Sequence, residues 1–366
     1  MPLVRYGIRR ALTFPLQVFA AVTFIFFLIH VFVGSPVFRQ LGVLQTPELA
    51  SRLTEQLGLD QPVGKQYIDF MSHLVRGDLG TSFGTSEKVT TDLIQLFPST
   101  LELVGASLFI GLIIGVPLGV LAGLRGHRRL TRATSGYRLI AGSIPEFWLG
   151  LIFIYLFVSI LGIAPGPVGQ LSPDLEPPPR ITGMIVLDAL VQGMWRELAS
   201  GLAHLALPAL ALGLSIGGPV ARLMRAVVAD ACSSDYVQYA ELSGARPRTV
   251  LWYILKSTLT PLINLIAVLT VLLIGQTVPV EIVFSWGGLG QYTVQAVQLS
   301  DYPAIQGVVL ITTMFVLVVY LANDLVAGLI DQRLIPAERE HRRLAARELL
   351  RTARGRLRSG HHEAAA

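Results

Sequence analysis

The chain has 366 residues, 52% of them hydrophobic and 14% charged, with a net charge of +5. Soluble domains carry about 25% charged residues, so this composition argues against a soluble globular protein, and the mean hydropathy of +0.59 agrees. Apolar runs of 20 residues or more favour spanning helices over a β-barrel, whose strands alternate apolar and polar residues, and the lone Cys232 excludes an internal disulfide framework.

In chain order, residues 1–10 form a basic tail and residues 11–33 the first apolar span. That span is longer than a signal-peptide core and lacks a small-x-small cleavage site, so it reads as a retained helix. Residues 34–100 form a long polar loop with a helix-like piece at 47–57 and a turn at Arg76-Gly77-Asp78. Further spans are expected at 101–124 and 139–163. Between 164 and 201 the chain is first proline-rich, at Pro165, Pro167, Pro173 and Pro177 to Pro179. A helix over 184–198 then places Trp195 at headgroup level.

The fourth span, 202–224, is interrupted by Pro208 and Pro219, which buried spanning helices tolerate. Spans at 259–284 and 305–330 complete a six-helix, all-α polytopic membrane protein. Its core runs over 101–335, with a basic tail at 336–366.

Lys and Arg set the orientation. Three lie in the N-terminal tail, five between spans two and three, five around 222–256 and nine after 330. The opposite loops hold five, two and none. The positive-inside rule puts both termini in the cytoplasm.

Residues 226–258 are too polar to cross a membrane, yet they have helical pattern. Asp235 with Gln238 three positions later fits a capping box. Tyr236, Val237, Tyr239, Ala240 and Leu242 form an apolar surface, and Gly244 suits a left-handed C-cap. Pro247 suits the first turn of a second helix, continued by Val250, Leu251, Ile254 and Leu255. A short helix offering Tyr and Leu fits a groove on a partner; a self-packed hairpin is the other reading.

Several polar groups fall inside spans, where charge is expensive and usually faces a cavity or the protein interior. Glu146 beside Pro145, Gln276 and Glu281 are the candidates for lining a path; Glu102, Asp324 and His30 read as structural. No GxxxxGK[ST] phosphate loop occurs, so the chain has no ATP-hydrolysing motif and no cofactor of its own.

Residues 235–244, Asp-Tyr-Val-Gln-Tyr-Ala-Glu-Leu-Ser-Gly, resemble the coupling (EAA) loop of ABC importer permeases, in the pattern D-Y-[VI]-x-x-A-x-x-x-G of the dipeptide/oligopeptide/nickel branch. Pro261, seventeen residues past the glycine, is also similar. So are Leu57-Gly58-Leu59-Asp60-Gln61-Pro62, Arg76-Gly77-Asp78-Leu79-Gly80-Thr81-Ser82, Pro98-Ser99-Thr100-Leu101-Glu102-Leu103, Gly115-Val116-Pro117-Leu118-Gly119, Phe147-Trp148-Leu149-Gly150, Phe284-Ser285-Trp286-Gly287-Gly288-Leu289-Gly290 and Asp301-Tyr302-Pro303. The long loop after span one resembles a B-type subunit. Glu146 departs from the pattern, standing where a small residue is usual.

The resemblance implies the type I permease fold in a prokaryotic plasma membrane. It implies a second related permease, two ATPase subunits that hold ATP and Mg, an extracytoplasmic binding protein, and surrounding lipid; no nucleic acid is expected. Asp235, Tyr236, Val237, Tyr239, Ala240, Leu242 and Gly244 would couple to the ATPase. Peptides are the expected cargo, with nickel, glutathione and oligosaccharides as the other cargoes of the family. A secondary transporter or a non-transporting membrane scaffold is the reading from another class.

Overall fold

The computed structural model describes residues 2–32, 37, 46–56, 58–124, 136–137 and 144–330. Residues 125–135, 138–143 and 331–366, which carry much of the basic charge used for orientation, lie outside it. Among the described residues the secondary structure is helical, with one isolated bridge between Thr81 and Lys88.

The helices are α1 (Pro2–Phe32), α2 (Pro47–Gln56), α3 (Val63–Val75), α4 (Val89–Gly123), α5 (Glu146–Phe153), α6 (Ile185–Gln192), α7 (Trp195–Cys232), α8 (Asp235–Leu242), α9 (Pro247–Phe284), α10 (Leu289–Leu299) and α11 (Tyr302–Ile330). A π-helical turn, Ile154–Ile160, continues α5. By length and composition α1, α4, α7, α9 and α11 can each cross a membrane, while Glu146–Ile160 is a shorter apolar helix. The third expected span is therefore seen only in its second part, because 138–143 lie outside the described residues.

The long helices outrun their apolar runs. Both α7 and α9 have 38 residues, about 57 Å at 1.5 Å per residue, against roughly 30 Å of hydrocarbon. Their polar ends stay helical beyond the apolar part, so the expected second helix from Pro247 and the fifth span form one rod. Pro261 and Pro279 sit inside it. The helix expected over 184–198 is instead two. Gly193 ends α6 at φ +69°, and Trp195 opens α7.

The centre of the fold is the pairing of α4 with α7. Gly111, Gly115, Gly119 and Gly123 repeat every four residues along one face of α4 and let the backbones approach closely. A Cβ at Gly119 would lie 2.5 Å from Met224 Cβ and 2.6 Å from the Ala221 carbonyl oxygen. Leu103, Leu212, Ile216, Val220, Met224 and Leu273 fill the main core between α4, α7 and α9. A second cluster joins Ile29 of α1, Val89 and Leu93 of α4, Tyr292 of α10 and Ile305 of α11. His30 packs there as a structural group: its ring stacks on Phe26 and its nitrogens reach the Phe26 carbonyl and Gln66 Oε1.

Candidate functional site

The polar segment between the fourth and fifth spans folds as a helical hairpin at one end of the α7–α9 pair. Helix α7 stops at Cys232, and the chain turns through Ser233 and Ser234 into α8. Ser234 holds the N-cap position with no side-chain cap bond, and Asp235 is the first helical residue. Gln238 Nε2 donates to the Ser233 carbonyl at 3.0 Å. The capping box expected from Asp235 and Gln238 does not form, because the turn at Ser233 and Ser234 makes Ser234 the N-cap and turns its hydroxyl back to the Ala231 carbonyl. Asp235 in the first turn still favours the helix dipole.

The far end of α8 matches the expectation. Gly244 has φ +72°. The Gly244 N–H donates to the Glu241 carbonyl at 3.1 Å and the Ala245 N–H to the Ala240 carbonyl at 3.0 Å. These two bonds make a Schellman motif. Pro247 then starts α9 in its first turn.

Helix α8 has two faces. Val237 and Ala240 are buried with Val228, Cys232, Val250 and Ile254, so they hold the hairpin onto the long helices. Tyr236, Tyr239 and Leu242 point away, with 47%, 74% and 89% of their surface exposed. Within the seven-residue candidate set, these three form the outward apolar face, and Gly244 closes the turn behind them.

The path candidates separate into two places. Glu146 and Gln276 come together although 130 residues apart: Gln276 Nε2 donates to Glu146 Oε1 at 3.2 Å. Glu146 opens α5 immediately after Pro145, and Gln276 lies in the apolar part of α9. The Gln276 Oε1 atom is buried without a partner. Glu281, one and a half turns further along α9, is fully buried instead. It accepts from Thr100 Oγ1 at 2.6 Å and from the Gln291 N–H at 3.1 Å. Its surroundings are structural, and it does not reach the Glu146–Gln276 pair.

That Glu281 cage belongs to a larger junction. Thr100 Oγ1 also accepts the Leu289 N–H at 2.8 Å, and Trp286 Nε1 donates to the Ser99 carbonyl at 2.9 Å. Nearby, Asp301 Oδ2 accepts from Ser82 Oγ at 2.6 Å and from the N–H groups of Phe83 and Gly84 at 2.7 and 3.1 Å. Asp92 Oδ2 accepts from Thr85 Oγ1 and Tyr292 Oη at 2.7 and 3.0 Å. A cleft of about 200 Å³ beside it is lined by Ser82, Thr85, Tyr292, Gln295 and Asp301. Nothing in the sequence assigns a role to Thr100, Asp92 or Asp301. The one sequence signal is that Thr100 and Asp301 stand in family-like motifs.

Glu102, read as structural, behaves so. Its Oε1 accepts the Val186 and Leu187 N–H groups at 2.9 and 3.2 Å, capping the first turn of α6. Asp188 in that helix accepts the N–H groups of Ile181, Thr182 and Gly183 and the Thr182 hydroxyl. Burial pushes its carboxyl up, but the bonds from Thr182, Ile181 and Gly183 outweigh it and hold it below the ordinary value.

Comparison with known proteins gives concordant matches. The chain is 37% identical to the probable D,D-dipeptide transport system permease protein DdpB of Escherichia coli (strain K12), over 87% of this chain and 94% of that one. It is 31% identical to the dipeptide transport system permease protein DppB of Alkalihalophilus pseudofirmus, over 91% and 99%. It is 33% identical to the di/tripeptide transport system permease protein DppB of Pseudomonas aeruginosa (strain UCBPP-PA14), over 89% and 98%. Residues 3–104 match the N-terminal part described for binding-protein-dependent transport system membrane components. Residues 115–336 match the family described as "Binding-protein-dependent transport system inner membrane component", and the chain belongs to that family.

Proposed function

We propose that this protein is the membrane-spanning permease subunit of an ATP-driven importer of di- or oligopeptides. The family is a transport component of the inner membrane, so the chain is a multi-pass transporter subunit and not an ATPase. Three relatives named as dipeptide, D,D-dipeptide or di/tripeptide permeases, aligned over nearly their full lengths, support the peptide cargo.

The observation that carries the coupling mechanism is the two-faced helix α8. Its inner residues lock it to α7 and α9, while Tyr236, Tyr239 and Leu242 stand exposed on its outer side. A rigid apolar knob joined to two long helices can pass a push from a partner into the spans. In this reading a separate ATPase receives α8 in a groove, and ATP and Mg bind to that partner. A second, related permease completes the bundle with a second ATPase. A binding protein delivers peptide on the face carrying α2, α3 and α6. The skew of Lys and Arg supports cytoplasmic termini.

The test is Leu242→Ala together with Tyr239→Ala. Both side chains are exposed, so the permease should fold and insert normally. Co-purification with the ATPase should fall by about tenfold, as interface anchors do when truncated. Undiminished co-purification and uptake would remove α8 as the docking element. Peptide cargo is tested separately by ATPase stimulation with peptide-loaded binding protein.

A further inference from the structure

We infer that Glu146 and Gln276 together bind the ammonium group at the amino end of a peptide as it crosses the membrane. The inference rests on the peptide-importer reading above and assigns a chemical task to one point within it.

The first ground is electrostatic. A carboxylate within apolar helices needs a partner or a cavity, because hydrocarbon solvates it poorly. Among the described residues Glu146 has a single polar contact, the Gln276 amide, and none of their Lys, Arg or His side chains stands within ion-pair distance of it. Its partner donates one neutral hydrogen bond and supplies no positive charge, which leaves the helix N-terminus as its only other support among the described residues.

The second ground is geometry. A carboxylate only accepts hydrogen bonds when ionised, so the bond to Glu146 fixes which end of the Gln276 side chain is the NH₂ group. Gln276 Oε1 is then the opposite end, and it is buried with no donor. An unpaired buried acceptor is costly and calls for a donor. The carboxylate oxygens of Glu146 and the amide oxygen of Gln276 are thus acceptors on two side chains already in contact. A primary ammonium group carries three N–H donors and one positive charge, and it satisfies both deficits at once.

The third ground is position. Pro145 is extended at φ −60° and ψ 141°, so helix α5 starts at Glu146, at the head of an apolar run. Gly150, one turn on, packs against Phe284 and Val283 near the end of α9. The pair therefore sits between two elements that a moving bundle can shift against each other.

The test uses the complete transporter in nanodiscs and a photoreactive dipeptide, alanyl-benzoylphenylalanine, as probe. Alanyl-alanine should compete with labelling of this subunit, and N-acetyl-alanyl-alanine should not. In Glu146→Gln, labelling should fall about tenfold and the preference for the free amino end should vanish, since a charge-assisted bond becomes a neutral one. Glu146→Asp should keep the preference. Gln276→Leu should weaken labelling several-fold while retaining it. A Glu146→Gln complex that keeps the free-over-acetylated preference overturns the inference. If that variant fails to assemble, Gln276→Leu decides, and undiminished labelling overturns it. Wild-type complex that the probe does not label would remove the peptide reading as well, whereas normal wild-type labelling with an indifferent Glu146→Gln removes this inference alone.

Discussion

Ser82 Oγ donates to Asp301 Oδ2 at 2.6 Å, joining residues 219 positions apart. The loop before α4 and the turn before α11 are thereby closed on one buried carboxylate. The same carboxylate takes the N–H groups of Phe83 and Gly84, and its Oδ1 takes that of Ala304 at 3.1 Å. Side-chain Asp301 does what a strand ladder would do elsewhere, satisfying backbone donors that have no helix to bond within.

Replacing Asp301 with Ala leaves these donors unpaired in a buried place. The expected loss is about 3 kcal/mol, by the usual cost of orphaned buried groups. It should be read as a lower unfolding temperature of the purified subunit and faster hydrogen exchange over 80–88. Asp301→Asn, which keeps the shape and one acceptor oxygen, should lose less.

Helices α4 and α7 approach each other closely along the glycine face of α4. Gly119→Leu must push against the Ala221 carbonyl and Met224, both fixed in α7. Overpacking of this kind costs about 1–3 kcal/mol, and membrane insertion without stable complex formation is expected. Gly105→Ala is the control, since a Cβ there meets nothing within 4 Å; it should leave assembly unchanged.

Thr100 serves both Glu281 and Leu289 through one hydroxyl. Thr100→Val removes a donor and an acceptor together and should cost about 2 kcal/mol in thermal stability. Thr100→Ser should restore it. Glu281→Gln should lower stability in the same assay without altering the preference for a free peptide amino end, because Glu281 is enclosed by its own subunit.

Asp188 predicts an acid-sensitive loop. Its carboxyl is held below the ordinary value of 3.8 in the folded chain. A depressed carboxyl contributes stability that is present above the unfolded value and lost as pH falls through the folded one. Hydrogen exchange over 181–192 should therefore stay slow down to about pH 4 and accelerate below it. Asp188→Asn should make exchange fast at neutral pH and flatten this dependence.

The sequence alone determined the class of protein, the apolar runs and the hairpin of α8, because each depends on near neighbours. Hydropathy over twenty residues, Gly244 after an apolar helix and Pro247 before the next are local facts with local physics. It could also show that Glu146, Gln276 and Glu281 were costly in hydrocarbon. It could not divide them. Only tertiary structure brought Glu146 to Gln276 while enclosing Glu281 against Thr100, since those contacts join residues 130 and 181 positions apart. The faces of α8 were decided in the same way. Val237 and Tyr239 are both apolar in pattern, yet one packs on α7 and α9 and the other stands free. Which face is buried depends on where the long helices end, and that is set by their packing and not by the ten residues of the motif.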